Sequence, residues 1–218
     1  FIGIPRALHF MEYAPFWLAF FKKLDIPVLL SNPTNKKIIR DGLEAVLAEY
    51  CFPVKVAHGH AMELMDKGVT HLFMPNIWQL PRLQDGYEES VQCPYVSTLA
   101  FTVGAALKPE DKGIEILHPA VDLSELSRKT IDLLASDLAS LGVNRAQITE
   151  AAKAGKSAMV EFNKKMVERG KKALAELPQN KQAVVILGRG YNSCDSGLNL
   201  DIPARFRELG ILPIPLDM

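Results

Sequence analysis

Three cysteines stand where a thiolate could do chemistry: in Cys51-Phe52-Pro53, in Cys93-Pro94-Tyr95 and in Ser193-Cys194-Asp195. Each lies beside a helix-starting or turn signal. Pro53 suits the first turn of a helix, which leaves Cys51 near an N-terminus, where unpaired amides and the helix dipole favour a thiolate. Pro94 drives Cys93 towards an extended backbone that can turn its sulfur out of the local chain. Cys194 follows the loop after an apolar run, a usual place for site residues, yet Asn192, Ser193, Asp195 and Gly197 around it are also turn formers. Exposed thiolates in such settings bind metal or do redox chemistry. Against that, free cysteine is among the most buried residue types, and these three are too far apart for a local ligand motif.

Other residues invite the same two-sided reading. His58 and His60 follow Cys51 closely, but two residues along a helix put them about 200° apart, so one metal can take both only if the helix breaks at Gly59. A zinc site of Cys51, His58 and His60 also lacks a fourth ligand, and packing or hydrogen bonding is the plainer role for each imidazole. Arg6, in Gly3-Ile4-Pro5-Arg6, follows a strand-like run and is placed to hold a carboxylate or phosphate; an ion pair is the structural alternative. Gly188-Arg189-Gly190-Tyr191 also follows a strand and suits an approach to an anion or a cluster. It has neither the lysine and spacing of a phosphate-binding P-loop nor a full dinucleotide fingerprint. Phe16, Trp17, Phe20 and Phe21 recur at helical spacing, as a core stripe does.

The elements that must position these residues alternate. Phe1–Ile4 reads as a buried strand, about Glu12 to Leu24 as an aromatic helix and Pro27–Leu30 as a second strand; helices follow over Asn35–Tyr50 and Pro53–Lys67, ended by Gly68. His71–Pro75 is the next strand, Asn76–Gln92 a long polar loop leading to Cys93, and Gly113–Leu117 a further strand. Two helical stretches, Asp122–Leu141 and Arg145–Leu177, precede Gln182–Gly188, which reads as the clearest buried strand. A helix near Pro203–Leu209 and a strand over Ile211–Leu216 close the chain. Such alternation implies an α/β fold: a Rossmann-like parallel-sheet lobe (1–121), a helical connection (122–178) and the start of a second α/β lobe (179–218). Because the chain opens on Phe1 and stops at Met218 just after a strand, it reads as part of a longer protein.

Bulk properties narrow the partners. The 218 residues can bury a sizeable core, and 25 basic against 25 acidic side chains give no overall field that would recruit nucleic acid or an acidic membrane. Three cysteines are an odd number for a disulfide framework and suit the reducing cytoplasm. The most apolar N-terminal run, Ala14 to Phe21, is far shorter than the roughly 20 residues a membrane span needs.

Taken in order, Gly3-Ile4-Pro5-Arg6-Ala7-Leu8, Pro15-Phe16-Trp17 with Phe20-Phe21, Cys51-Phe52-Pro53-Val54-Lys55 with His58-Gly59-His60, Cys93-Pro94-Tyr95 and Gly188-Arg189-Gly190-Tyr191-Asn192 resemble one family. The chain is similar, over nearly its full length, to activators of (R)-2-hydroxyglutaryl-CoA dehydratase, in their domain related to the dehydratase subunits. The resemblance implies an anaerobe's redox component. In the related proteins Rossmann-like lobes hold a [4Fe–4S] cluster through cysteines and an ATP-hydrolysing activator supplies low-potential electrons; the substrate implied is an acyl-CoA or another small molecule. It carries Cys51 and Cys93 over as cluster ligands, with Cys194 the weaker third candidate and Arg6, His58, Arg189 and Tyr191 as cofactor contacts. Three protein thiolates would leave one iron open to substrate. The family usually has Gly-Arg-Pro-Tyr where this chain has Gly188-Arg189-Gly190-Tyr191, so the third cysteine is expected either at Cys194 or beyond Met218. The family's ATP-binding domain has phosphate motifs of its own, which this sequence lacks, so no ATP site is expected here.

Overall fold

Ile2 and Ile4, both buried, flank Gly3 in the strand around which the fold is organised. The computed structural model describes residues 1–81 and 90–218. In chain order it contains β1 (Ile2–Ile4), α1 (Phe10–Lys23), β2 (Val28–Leu30), α2 (Lys36–Ala45), α3 (Phe52–Asp66), β3 (His71–Phe73) and β4 (Asn76–Gln79). There follow α4 (Pro94–Ser97), α5 (Leu99–Leu107), β5 (Glu115–Leu117), β6 (Ala120–Asp122), α6 (Arg128–Asp137) and α7 (Arg145–Ala175). The last elements are β7 (Ala183–Ile186), α8 (Gly190–Ser193), α9 (Ile202–Glu208) and β8 (Leu212–Pro215).

The main sheet is wholly parallel, in the order β2-β1-β3-β5. Strand alternation sends successive side chains to opposite faces. Ile2, Ile4 and Phe73 join the core formed with α1, α6 and the first turns of α7, while Leu72 and Met74 join the core formed with α3 and α5. A parallel sheet covered by helices on both faces is the Rossmann-like α/β architecture that the sequence implies. From β1 the chain reaches β2 on one side and then crosses to β3 on the other. The crevice at the carboxyl ends of β1 and β3 is therefore the topological switch point, where such sheets bind ligands.

Pro75 and Pro119 occupy equivalent places past β3 and β5. Neither has an N–H to give the ladder, and the pair resumes beyond them as β4 and β6, with Asn76 opposite Ala120. The loop expected over Asn76–Gln92 thus begins as a strand; its residues 82–89 lie outside the described residues. The helix expected from Asp122 likewise starts only at Arg128, where the Ser127 hydroxyl caps it by accepting from Thr130 N–H at 3.3 Å. The helix expected to run to Tyr50 ends at Ala45. Val46 is extended, and Tyr50 turns back to stack on His58.

α7 starts in a capping box between Asn144 and Gln147. Its first half buries Ile148, Ala151 and Ala152 against α1, and its second half is a charged face pairing Lys165 with Glu161 and Lys172 with Glu176. Gln182–Gly188, read as the clearest buried strand, is not buried: Val185 is 53% exposed and Leu187 75%. Here β7 pairs in parallel with β8 alone, and among the described residues no layer covers the outer face of that two-stranded sheet.

Candidate functional site at the carboxyl edge of the sheet

α3 and α5 lead into β3 and β5 and run antiparallel to them, so the chain enters each from the carboxyl edge of the sheet. Cys51 caps the N-terminus of α3 and Cys93 that of α4, which feeds α5. In both, proline occupies the first turn and no side chain caps the helix, which leaves each sulfur uncommitted. Cys51 is exposed and Cys93 half-buried. Tyr50 lies edge-on to Tyr95 with centroids 5.7 Å apart, an aromatic wall next to the two thiols.

The loop after β7 meets the same place. Tyr191 is buried among Ala7, Leu8, Val54 and Val96, with Cys93 and Tyr50 at the edge of that cluster. Burial pushes its phenol up, and the nearby Cys93 and Cys51 thiolates and Glu12 add to this while Arg189 opposes it. Tyr191 and Cys93 thus share one apolar cluster. Glu12, in the first turn of α1, accepts from Gly190 N–H at 2.9 Å. Burial pushes the Glu12 carboxyl up, against the opposing pull of the Gly190 N–H and the Arg189 charge. A Cβ on Gly190 would lie 2.6 Å from Glu12 Cγ, and a proline there would have no N–H to give. The bond to Glu12 and the close approach of its side chain thus give residue 190 a local physical reason to be glycine.

Cys194 ends α8, with its N–H on Gly190 O at 2.8 Å and its sulfur 3.7 Å from Ser193 Oγ. Cys194 is exposed as a residue, and partial burial of its sulfur pushes the thiol up; the Ser193 contact opposes this, and Asp217 and Glu12 add to it. That makes Cys194 a poor thiolate. Among the described residues, no group of three or more His, Cys, Asp or Glu side chains is arranged to hold a metal ion. The chain therefore brings Cys51 and Cys93 to one locus without assembling a third protein ligand beside them.

α3 is continuous through Gly59, and the two imidazoles point apart, which removes the zinc arrangement of Cys51, His58 and His60. His58 is fully buried, its Nδ1 2.9 Å from Val54 O and its ring stacked on Tyr50. His60 anchors a buried polar relay. Arg6 N–H donates to Ser31 Oγ at 2.8 Å, and Thr34 O–H donates to the Asp195 carboxylate at 2.5 Å. Those ends fix the middle: His60 Nε2–H gives to Thr34 Oγ1 (3.0 Å), and Nδ1 accepts from Ser31 O–H (2.8 Å). Asp195 also accepts from Gly197 N–H at 2.8 Å. Burial holds His60 down to about 4; Asp195 and Glu63 oppose this and Arg6 reinforces it. Arg6 thus enters through its backbone, and its guanidinium makes no ion pair among the described residues.

Sequence reasoning missed His9, Glu12, Ser31 and Thr34, and took Asp195 for a turn former. Their shared signal is position, since His9, Ser31 and Thr34 all follow β1 or β2 at the carboxyl edge. A family profile described as CoA enzyme activase uncharacterised domain (DUF2229) matches residues 1–218. The chain belongs to this family. It matches no curated protein. The CoA enzyme activase domain so defined takes in all three sheets of the described residues, so the Cys51 and Cys93 edge and the Arg189–Cys194 loop fall within one family unit. Among the described residues of this activase domain, no helix is long and apolar enough to cross a membrane.

Proposed function

We propose that this activase domain is an iron–sulfur redox component of a 2-hydroxyacyl-CoA dehydratase-type system, taking low-potential electrons from an ATP-dependent activator. The observation that supports it is that Cys51 and Cys93 each cap a helix with proline in its first turn, beside the Tyr50–Tyr95 pair that brings the two helix starts together. Thiolates are the ligands such clusters require. The residues fit in part: Cys51 and Cys93 are two donors of the right kind, and the third is not assembled beside them. When bound, a [4Fe–4S] cluster would accept and pass on single electrons. Around it Arg189 would place positive charge beside an anionic centre, and the buried Tyr191 would keep its phenolic proton.

Anaerobic reconstitution of the domain with iron and sulfide should give bound iron, sulfide and charge-transfer absorbance. Cys51→Ser and Cys93→Ser should each lower bound iron severalfold, while Cys194→Ser, whose thiol is pushed up, should lower it least. Unchanged iron in both of the first two variants would sink the assignment. A non-catalytic interaction module with reduced thiols is the second reading, favoured by the missing three-ligand group. It requires that no stoichiometric metal bind even without oxygen.

A further inference from the structure

α7 lies on α1 at Gly155, where an added Cβ would sit 2.9 Å from the Phe16 ring. Beside that contact the two helices and the turn between β6 and α6 border a cleft of about 310 Å³, a volume within the range of small-molecule sites. Tyr13 and Phe16 line it from α1, Leu123 and Leu126 from the turn, and Lys156, Met159, Val160 and Asn163 from α7. The four α7 residues fall at i, i+3, i+4 and i+7, which is one face of the helix. The apolar pair lies between the two polar residues, and those are about 10 Å apart along the axis. Val160 is 63% exposed, so this wall is apolar surface open to solvent rather than packed core.

The polar lining side chains include one cation and no carboxylate. Lys156 is exposed and makes no ion pair among the described residues; on the same stretch of α7, Glu150 pairs with Lys153 at 2.7 Å and Glu161 with Lys165 at 2.6 Å. Burial, and after it the Glu12 charge, pushes the Tyr13 phenol up, so its hydroxyl stays protonated and is a donor. Two acids adjoin the lining in sequence, and both are engaged. Glu12 accepts from Gly190 N–H, and Asp122 accepts from the N–H and the hydroxyl of Ser124 at 2.8 and 2.5 Å. An apolar body therefore fits the middle of the cleft, and a negative head is matched at the Lys156 end. Because that ammonium reaches solvent, the head keeps part of its hydration and escapes the full cost of burying a charge. We propose that this cleft binds a linear amphipathic monocarboxylate about 10 Å long, its head on Lys156 and its chain along Met159 and Val160. The cleft lies on the α1 and α7 face of the main sheet, away from α3 and α5, and the proposal stands whether or not the cysteines hold a cluster.

The test titrates the metal-free chain, ¹³C-labelled at its methionine methyls, with octanoate while Met159 is followed by NMR. A saturable shift at Met159, with a dissociation constant on the order of millimolar for about ten heavy atoms, is the expected result. Octan-1-ol keeps the chain and lacks the charge, and should bind about fivefold more weakly. Lys156→Gln should weaken octanoate by the same factor and leave octan-1-ol unchanged, and as an exposed side chain it can be replaced without loss of the fold. A shift that stays linear in octanoate would overturn the proposal. So would octan-1-ol binding as tightly as octanoate, or unchanged octanoate binding in Lys156→Gln. None of these outcomes bears on iron binding by Cys51 and Cys93, so the two assignments fail separately.

Discussion

His9 and His60 are imidazoles kept neutral in the interior, each held down to about 4 from an ordinary 6.5. Above pH 6.5 neither the folded nor the unfolded chain protonates them. Between 6.5 and 4 only the unfolded chain takes up the proton, so stability falls as pH falls, by about 3 kcal/mol per histidine across the window. Burial shifts His58 in the same direction, while Glu12 and Asp137, both pushed up, act in the opposite sense over their own ranges. His60 faces Asp195, Glu63 and Arg6, and the two acids hold its value up only in part. Replacing His60 with Gln should therefore flatten the pH dependence of urea stability by about 1.4 kcal/mol per pH unit near pH 5. An unchanged slope would mean that His60 already protonates in the fold. None of this was readable from residue types, because burial and the Ser31 and Thr34 partners decide it. The helix start beside Cys51 was legible for a different reason: Pro53 marks it in the sequence itself, whereas Pro94 was read only as extending Cys93, and the short helix it opens was not foreseen.

At the scale of elements, the sequence read the β-α-β opening well because apolar periodicity and the turn residues agree there. It failed where tertiary contacts override periodicity. Val46 and Leu47 keep helical spacing, yet Tyr50 is drawn to His58, and the helix stops at Ala45. The paired proline breaks that divide β3 from β4 and β5 from β6 need the register of both strands to be seen at once. Gly59, whose presence suggests a helix break beside the histidines, has another role: α2 and α3 cross at Gly42 and Gly59. An added Cβ on Gly59 would lie 1.9 Å from Ile38 O, and one on Gly42 would lie 2.3 Å from Lys55 O. Both obstacles are backbone, so the helices must part. Gly59→Ala should cost about 3 kcal/mol or more in urea unfolding. Gly68→Ala, at φ 74° with open space around it, should cost about 1–2 kcal/mol from the left-handed backbone alone. If the two cost the same, the close crossing is not what holds α2 on α3.

At the scale of the whole molecule, the first sheet and the β7-β8 unit meet through polar contacts reaching across most of the chain. The alternation of strands and helices foretold the strands of the main sheet and of the β7-β8 pair, though not the β4-β6 pair. It could not foretell this joint, because Thr34 and Asp195 are turn residues whose partners are 161 positions apart. The relay runs from Arg6 N–H through Ser31, His60 and Thr34 to Asp195, and the Glu12 bond to Gly190 is a second tie. Both ties flank Tyr191 and the two cysteines, so whatever loosens the joint also moves the loop that faces the thiols. Thr34→Val keeps shape and removes the hydroxyl, leaving His60 Nε2–H without its acceptor and Asp195 Oδ2 without its donor. The loss should be about 2–3 kcal/mol, and it should be local before it is global. Hydrogen exchange should speed up in 183–218 well before it does in β1 and β3. Ser31→Ala breaks the relay on the other side of His60, leaving the Thr34 to Asp195 bond in place, and should spare 183–218. Equal protection of 183–218 in Thr34→Val and the unaltered protein would show that apolar packing around Tyr191 and Leu198, rather than the relay, holds the second unit.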